Sequence, residues 1–286
     1  MRTESHVVRG GSPVLVVAPH AGCAVPIDLR AHPAWEPISG RQSDPGGMAL
    51  TEVAQTRGMT GIAAAIHPCV IDMNVAPHDS ALSERLNRLN LCRTHTAHGE
   101  ALYSQGLEPD GAAVKQRVAD HWTPFHESVL AELLRLREAH ANVFMLVAHA
   151  GAWLSPFRSQ RATVDCHFST SNGNSCDRRI VSALTQVARH RERAWVVNGK
   201  SAEGFAARHY GRPESGIHVV ELEISGNWRR EIELARNEGK GIDTHEAAMS
   251  ELLDAAERTL STLDGPTTPA DLPRALRDAF QYHATS

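Results

Sequence analysis

The sequence predicts an α/β domain in which helices pack on a mixed, largely parallel sheet. Short apolar runs such as VLVVA alternate with amphipathic stretches along the whole chain. The apolar runs indicate buried strands, and strands that alternate with helices are typical of an α/β domain. Hydrophobic residues at 42% and charged residues at 22% also place the chain among ordinary globular proteins.

The predicted strands are short apolar runs bounded by residues that favour turns. In chain order these strands are Val14–Ala18, Ile62–Ile66, Val70–Met73, Val143–Ala148, Ala194–Val197 and Ile217–Ile224.

The predicted helices show apolar residues at helical spacing, and two of them open on a proline, which is favoured in the first turn. They are Met48–Arg57, Ala112–His121, Pro124–His140, Cys176–Arg191, Thr244–Leu263 and a short Pro273–Tyr282. The segment from Asn74 to Gly111 is predicted to form long loops, which in a compact domain are usually functional or mobile. We expect one domain over residues 1–286, with a C-terminal helical extension from about residue 243.

Composition excludes several classes of function. The 286 residues carry a formal charge of -4, which gives no electrostatic reason to bind nucleic acid. No apolar run is long enough to span a bilayer, and the start of the chain lacks the apolar core of a signal peptide. The 5 cysteines contain no CxxC pair, which argues against a disulfide framework. We therefore expect a cytoplasmic protein without nucleic-acid or membrane partners, and no sequence pattern indicates its oligomeric state.

Two histidines directly follow apolar strand runs and are candidates for a metal site. His20 follows VLVVAP, His149 follows VFMLVA, and Asp44 lies in a glycine-rich loop that precedes a helix. Ligands bind at the carboxyl ends of strands in open α/β sheets, and two imidazoles with one carboxylate form a common catalytic zinc set. The competing interpretation of each histidine alone is structural, because a histidine at a strand end often only caps a backbone group.

The strand IHVVELEI carries Glu221 and Glu223 on the same face, because successive side chains alternate. An unpaired buried charge is costly, so these carboxylates must either face water or meet a partner. One interpretation is an edge strand with a wet face. The other is a site in which one glutamate is the general base beside a metal-bound water.

The ordered segments of the chain resemble the N-formylglutamate amidohydrolase family, a branch of the zinc carboxypeptidase-like hydrolases. The resemblance extends from about Pro13 to about Trp228, and its most specific block is RHYGRPESGIHVVELEI. The other matching segments are APHAGCAVP, VIDMN, NLCRTHTAHGEALYSQG, HWTPFHESVL, VAHAGAWL and STSNGNSC.

The resemblance implies a phosphorylase/hydrolase-like three-layer sandwich that binds one divalent metal ion, most simply zinc, although such ligands also accept manganese, iron or cobalt. It implies His20, Asp44 and His149 as metal ligands and Glu223 as the general base. It further implies a catalytic role for His126 and substrate-binding roles for Asn74, Arg208 and Tyr210.

The chain departs from the family pattern at arginines. The family's Asp-x-Asn-Arg is here Asp72-Met73-Asn74-Val75, an earlier arginine is replaced in the His67–Pro68 region, and another is replaced by Ala152. A guanidinium fits a carboxylate bidentately, so these losses suit a substrate with fewer carboxylates than formylglutamate. Arg93, Arg158 and Arg208 are the candidate substitutes.

The first functional hypothesis is therefore a metal-dependent amidohydrolase that cleaves a small N-formyl or N-acyl compound other than N-formylglutamate. The alternatives are a catalytically silent homologue that binds a metal or ligand, and a related peptidase or ring-opening C–N hydrolase.

Overall fold

A seven-stranded mixed sheet forms the centre of the protein in a computed structural model. The structure describes residues 5–40, 43–77, 91–96, 99–150, 164–199, 205–239 and 242–266, and at positions 149, 150 and 242 it describes the backbone alone. The strands are β1 His6–Val8, β2 Val14–Ala18, β3 Thr60–Ala63, β4 Val143–Ala150, β5 Cys166–Ser169, β6 Trp195–Val197 and β7 Ile217–Ile224.

The strand order is β1-β3-β2-β4-β7-β5-β6, and the central strands β3, β2, β4 and β7 are parallel to one another. β1 is antiparallel to β3, and β5 is antiparallel to β7. The central strands are almost entirely buried, as expected of a sheet that is covered on both faces.

Helices cover both faces of this sheet. They are α1 Pro45–Thr56, α2 Gly111–Arg117, α3 Thr123–Ala139, α4 Arg178–His190, α5 Phe205–Tyr210, α6 Gly226–Glu238 and α7 Ile242–Leu260. A single π-helical turn, Val118–Trp122, joins α2 to α3. Within the described ranges, no helix combines the length and the apolar character needed to cross a membrane.

Two apolar cores lie on opposite sides of the sheet. On one side, Phe125 and Leu133 of α3 pack against the odd-numbered side chains of β4 and β7. On the other side, α1, α4, α6 and α7 pack against the even-numbered side chains, with Leu253 of α7 fully buried. This arrangement confirms the predicted α/β sandwich with a mixed, largely parallel central sheet.

The predicted strands Val14–Ala18 and Ile217–Ile224 are confirmed at their bounds. The predicted strand Val70–Met73 is wrong, because these residues form turns and irregular backbone whose apolar side chains fill the core without pairing in the sheet. The described parts of the segment from Asn74 to Gly111 contain turns and one isolated bridge, between His95 and Ala101. The predicted helix Pro273–Tyr282 lies outside the described residues.

The segment after β2 continues to pair with the segment after β3, which fixes the loop that carries His20. Ala24 forms a parallel bridge with Ile66, and the His67 amide donates to the Ala24 carbonyl at 2.9 Å. Gly22 makes this approach possible, because a Cβ there would lie 2.0 Å from the Ile66 carbonyl oxygen.

We expect Gly22→Ala to destabilise the protein by about 3 kcal/mol or more, because the added methyl would overlap a backbone atom that cannot move alone. Urea unfolding measures the change. Gly11→Ala is the matched control, since a Cβ at Gly11 meets nothing within 4 Å. An equal free energy of unfolding for the two variants would show that the loop adjusts without cost.

Candidate active site

The predicted site residues lie at one edge of the sheet, where β2, β4 and β7 end side by side. His20 follows the last residue of β2 by two positions, and residue 149 of β4 is paired in register with Glu223 of β7. Because these three neighbouring strands are parallel, their carboxyl ends bring the three positions to a common edge.

β7 lies between β4 and β5, so the interpretation of it as an edge strand with a wet face is wrong. Glu221 is 1% exposed, whereas Glu223 is half-buried at the end of the strand. Both glutamates lie on the same side of the sheet as Val219, as the alternation predicts. The two carboxylates therefore have different environments, and Glu223 is the one nearer to solvent.

The ring of His20 is held by a buried carboxylate. Its Nε2 donates to Oδ1 of Asp72 at 2.7 Å, and Asp72 is 3% exposed. The same oxygen accepts the backbone N–H of Asn74 at 2.9 Å, and Oδ2 accepts a guanidinium N–H of Arg93 at 2.6 Å. Because Nε2 is engaged by Asp72, a metal ion at His20 would be bound through Nδ1.

Asp72 is ionised despite its burial. Burial alone would raise its pKa, but the charge and hydrogen bond of His20, followed by those of Arg93, hold the pKa well below its ordinary value. A histidine whose second nitrogen is hydrogen-bonded to a carboxylate is the usual arrangement of a metal-binding histidine.

Asp44 caps the start of α1 and presents a buried oxygen that no described residue contacts with a hydrogen bond. Its Oδ1 accepts the Gly47 amide at 2.9 Å, whereas Oδ2 is buried and forms no hydrogen bond within the described part of the chain. A Cβ added at Gly47 would lie 2.4 Å from this Oδ2 and 3.0 Å from the carbonyl oxygen of Ala148, the residue before His149. A buried carboxylate oxygen without a donor is costly, and a cation would satisfy it.

Among the described residues, no group of three or more histidine, cysteine, aspartate or glutamate side chains already surrounds a point where a metal ion would sit. His20 and Asp44 are buried at the edge described above, while the side chain of His149 lies outside the described part of the chain. Ala152 and Arg158 also lie outside it.

Asn74 is fixed by a network that reaches from the turn after β3 to β7. Its Oδ1 accepts the Ala206 amide at 3.1 Å, and its Nδ2 donates to Glu221 at 2.9 Å. The other oxygen of Glu221 accepts the Ala207 amide at 2.8 Å. Since one partner needs an acceptor and the other a donor, the orientation of the Asn74 amide is determined by chemistry.

His126 is 1% exposed and lies inside the protein with both ring nitrogens engaged. Nε2 donates to the Met73 carbonyl at 2.8 Å, so Nδ1 accepts the Tyr210 hydroxyl at 2.6 Å. Burial, followed by the charge of His209, lowers the pKa of His126 to about 3. This neutral ring supports the backbone beside Asn74, and a direct catalytic role for it stays a prediction.

The two remaining predicted substrate-binding residues lie on α5. Tyr210 is buried, with a pKa raised well above its ordinary value by burial, and its hydroxyl is directed to His126. Arg208 is exposed on the same helix. α5 is held at the site because the backbone amides of Ala206 and Ala207 donate to Asn74 and Glu221. Arg208 is the next residue of the helix after Ala207.

Sequence reasoning missed Asp72 as the partner of His20 and Glu221 as the partner of Asn74. It also missed His167 of β5, which is paired in register with Glu223. Nδ1 of His167 is buried and has no hydrogen-bond partner among the described residues. The signal for His167 was the short alternation CHFS, in which Cys166 and Phe168 enter one core and His167 faces the other side.

Two buried neutral histidines predict a loss of stability in acid. His126 and His218 have pKa values lowered to about 3 and about 4, in both cases chiefly by burial, from an ordinary 6.5. Nδ1 of His218 accepts the Asp177 amide at 3.2 Å, so protonation there would break a hydrogen bond. The unfolded chain binds these protons below pH 6.5 and the folded chain does not, so the stabilisation is present above that pH and is lost as the pH falls.

As the pH falls from 6.5 to about 4, we expect each of these histidines to lower the free energy of unfolding by about 1.4 kcal/mol for every pH unit. Urea unfolding at a series of pH values measures the slope, which His218→Gln should reduce and His6→Gln, at an exposed position, should not. A free energy of unfolding that stays constant from pH 7 to 4.5 would contradict this assignment.

Comparisons with known proteins agree with this architecture. The N-formylglutamate amidohydrolase family model matches residues 12–227. An N-formylglutamate deformylase of Pseudomonas putida is 31% identical over 218 residues, covering 76% of this chain and 81% of that protein. The corresponding deformylase of Pseudomonas aeruginosa is 28% identical, covering 76% of this chain and 82% of that protein.

Solved structures share the fold. The N-formylglutamate amidohydrolase of Ralstonia eutropha superposes with a TM-score of 0.71 at 19% identity, covering 91% of this chain and 99% of that one. A gene product of Agrobacterium tumefaciens superposes with a TM-score of 0.62 at 16% identity, covering 91% of this chain and 95% of that one. The family match spans β2 to β7 and every strand end described above, and the chain therefore belongs to the N-formylglutamate amidohydrolase family of hydrolases.

Proposed function

We propose that this protein is a metal-dependent amidohydrolase that cleaves the amide bond of a small N-formyl or N-acyl compound other than N-formylglutamate. The observation that carries the proposal is the geometry of His20, whose Nε2 is bound to the buried Asp72 at a strand end. A buried carboxylate that orients one ring nitrogen is the arrangement that prepares the other nitrogen to bind a metal ion.

The residues present fit a zinc ion. His20 would bind it through Nδ1, and Asp44 would bind it through the buried Oδ2, to which no described residue donates. His149 would complete the set from the end of β4. Two histidines and one carboxylate leave a coordination position open, as catalytic zinc sites require. When bound, the ion would polarise the scissile carbonyl and lower the pKa of a water molecule.

Glu223 is the residue that would take the proton from the attacking water and return it to the leaving amine. Its neighbour Glu221 is 1% exposed and already accepts N–H groups of Asn74 and Ala207, so it is committed to structure. The Glu223 carboxylate accepts no hydrogen bond from a described residue, is half-buried, and lies beside residue 149. A general base must reach the water that it deprotonates, and Glu223 satisfies this requirement better.

Asn74 would orient the substrate. Its side-chain amide carries two N–H groups, one of which is donated to Glu221. The other would donate to a polar group of the substrate, such as a carboxylate or a carbonyl oxygen. The network through Glu221 and α5 would hold this donor in one position before the substrate binds, which lowers the entropic cost of binding.

The substrate class follows from the cations around this site. Val75 is half-buried where the family motif carries an arginine, and the guanidinium of Arg93 is engaged by Asp72. At these two positions, a dicarboxylate such as formylglutamate would therefore find no guanidinium for its second charge. A compound with one carboxylate, or none, avoids that desolvation cost.

The experiment is a panel of N-formyl and N-acetyl amines with zero, one or two carboxylates, assayed by the release of formate or acetate. We expect the highest kcat/KM for a compound with at most one carboxylate, and abolition of its turnover by a chelator. The highest kcat/KM for formylglutamate would overturn the substrate class. The absence of turnover across the panel in a zinc-loaded protein would favour the silent homologue instead.

A further inference from the structure

We propose that Arg93 is a positioning residue for the metal ligand His20, acting through Asp72 rather than by contact with the substrate. The inference deepens the proposed function and rests on it for the role of His20. Its basis is a chain of short contacts in which Arg93 donates to Oδ2 of Asp72 at 2.6 Å and His20 donates to Oδ1 at 2.7 Å.

Asp72 can orient His20 only if its own carboxylate is fixed. Rotation about its Cβ–Cγ bond would move Oδ1 away from the imidazole, and the Arg93 contact with Oδ2 opposes that rotation. The backbone N–H of Asn74 also donates to Asp72, at 2.9 Å, but it donates to Oδ1, the oxygen that already accepts from His20. Arg93 is thus the described residue that fixes the second oxygen.

The backbone carries Arg93 to this position. The Asp72 amide donates to the Leu91 carbonyl at 2.7 Å, which ties the segment of Arg93 to that of Asp72. The side chains of Arg93 and Asp72 are 14% and 5% exposed, so their charges are poorly screened by water. Removal of the guanidinium would leave the Asp72 carboxylate buried, with His20 as its remaining side-chain partner.

The same geometry argues against Arg93 as the clamp for a substrate carboxylate. Bidentate recognition of a carboxylate uses two parallel N–H groups of the guanidinium. In Arg93 one terminal nitrogen is bound to Asp72, and Nε is buried away from solvent with no hydrogen bond to any described residue. The edge that contains Nε is therefore closed to a substrate.

The test measures the zinc affinity of the full chain by competition with a chelator for the wild type, Arg93→Met, Arg93→Lys and Arg117→Met. Arg117 is the control, because it is half-buried and bonds to Tyr103 and the Val70 carbonyl instead of Asp72. We expect Arg93→Met to weaken zinc binding about 10- to 100-fold, which is the usual effect of losing a residue that holds a metal ligand in place without touching the metal. Arg93→Lys should weaken zinc binding less. Arg117→Met should bind zinc as the wild type does.

A second readout does not depend on zinc. In the metal-free protein, the His20 Nε2–H that donates to Asp72 should give a slowly exchanging imidazole N–H resonance, which should weaken or vanish in Arg93→Met and persist in Arg117→Met. If the wild type shows this resonance but binds no zinc, the proposed function fails at the metal. If Arg93→Met does not fold, the comparison is made with Arg93→Lys.

Unchanged zinc affinity and an unchanged N–H resonance in the Arg93 variants would overturn the inference. A raised KM for carboxylate substrates with unchanged zinc affinity would also overturn it, because Arg93 would then contact the substrate.

Discussion

Glu223→Gln is expected to bind zinc as the wild type does and to lose about 10²- to 10⁴-fold in kcat, the range associated with a general acid–base group. The amide of glutamine is nearly isosteric with the carboxylate but cannot accept the proton of the attacking water. Because no described residue donates a hydrogen bond to Glu223, the substitution should break no structural contact at this position. The measurement is steady-state turnover of the best substrate in the panel, with the zinc content determined on the same sample.

Glu127→Gln is the matched control, because Glu127 is an exposed glutamate on α3 and should retain full activity. Glu221→Gln separates the two glutamates of β7. It would set a donor group against one of the two N–H groups that Glu221 now accepts, so stability and KM should change more than the proton transfer does. A Glu223→Gln protein that turns over within about threefold of the wild type would show that another base does the chemistry.

Asp44→Asn is expected to weaken zinc binding by at least about 100-fold while the fold persists. This loss is larger than that expected for a residue that only supports a metal ligand, because Asp44 would bind the metal itself. Asparagine is as good an N-cap as aspartate, so the bond from the Gly47 amide to Oδ1 can be kept. What is lost is the negative charge and the oxygen at the buried Oδ2 position, for which the described residues offer no donor. The affinity should therefore fall while the free energy of unfolding of the metal-free protein changes little.

Asp110→Asn provides the comparison for this variant. Asp110 caps α2 in the same way, through Oδ1 and the Ala113 amide at 2.8 Å, but it is an N-cap at the surface. Calorimetric titration of zinc into the metal-free proteins measures the affinities. Equal zinc affinities for the Asp44 and Asp110 variants would remove Asp44 from the set of ligands.

The sheet edge that carries the site was predictable from local pattern. The runs VLVVA and IHVVELEI were both predicted as strands from their apolar character, and both are buried on their two faces. The central position of IHVVELEI was not predictable from its composition, because its two glutamates also fitted an edge strand. The alternation of side chains along a strand then correctly predicted that Glu221 and Glu223 lie on the same face of the sheet. The run VIDM misled the same reasoning, because burial in the core and pairing in a sheet produce similar apolar sequences.

The hydrogen-bond partners that hold the candidate site residues in place were not predictable from the sequence alone. The contact of His20 with Asp72 joins positions 52 residues apart, and that of Asn74 with Glu221 joins positions 147 residues apart. No local spacing encodes such pairs, which depend on how the loops after β2 and β3 fold over the sheet. Arg93 was a candidate substrate ligand in the sequence and is a partner of Asp72 in the structure.

The most direct measurement is a titration of zinc into the metal-free protein, followed by the hydrolysis rate of the best N-acyl substrate. A single site built from His20, Asp44 and His149 predicts a rate that rises linearly with zinc and stops rising at one equivalent. Asp44→Asn should shift this curve to much higher zinc concentrations. Full hydrolytic activity in the metal-free protein would contradict a metal-dependent reaction at this site.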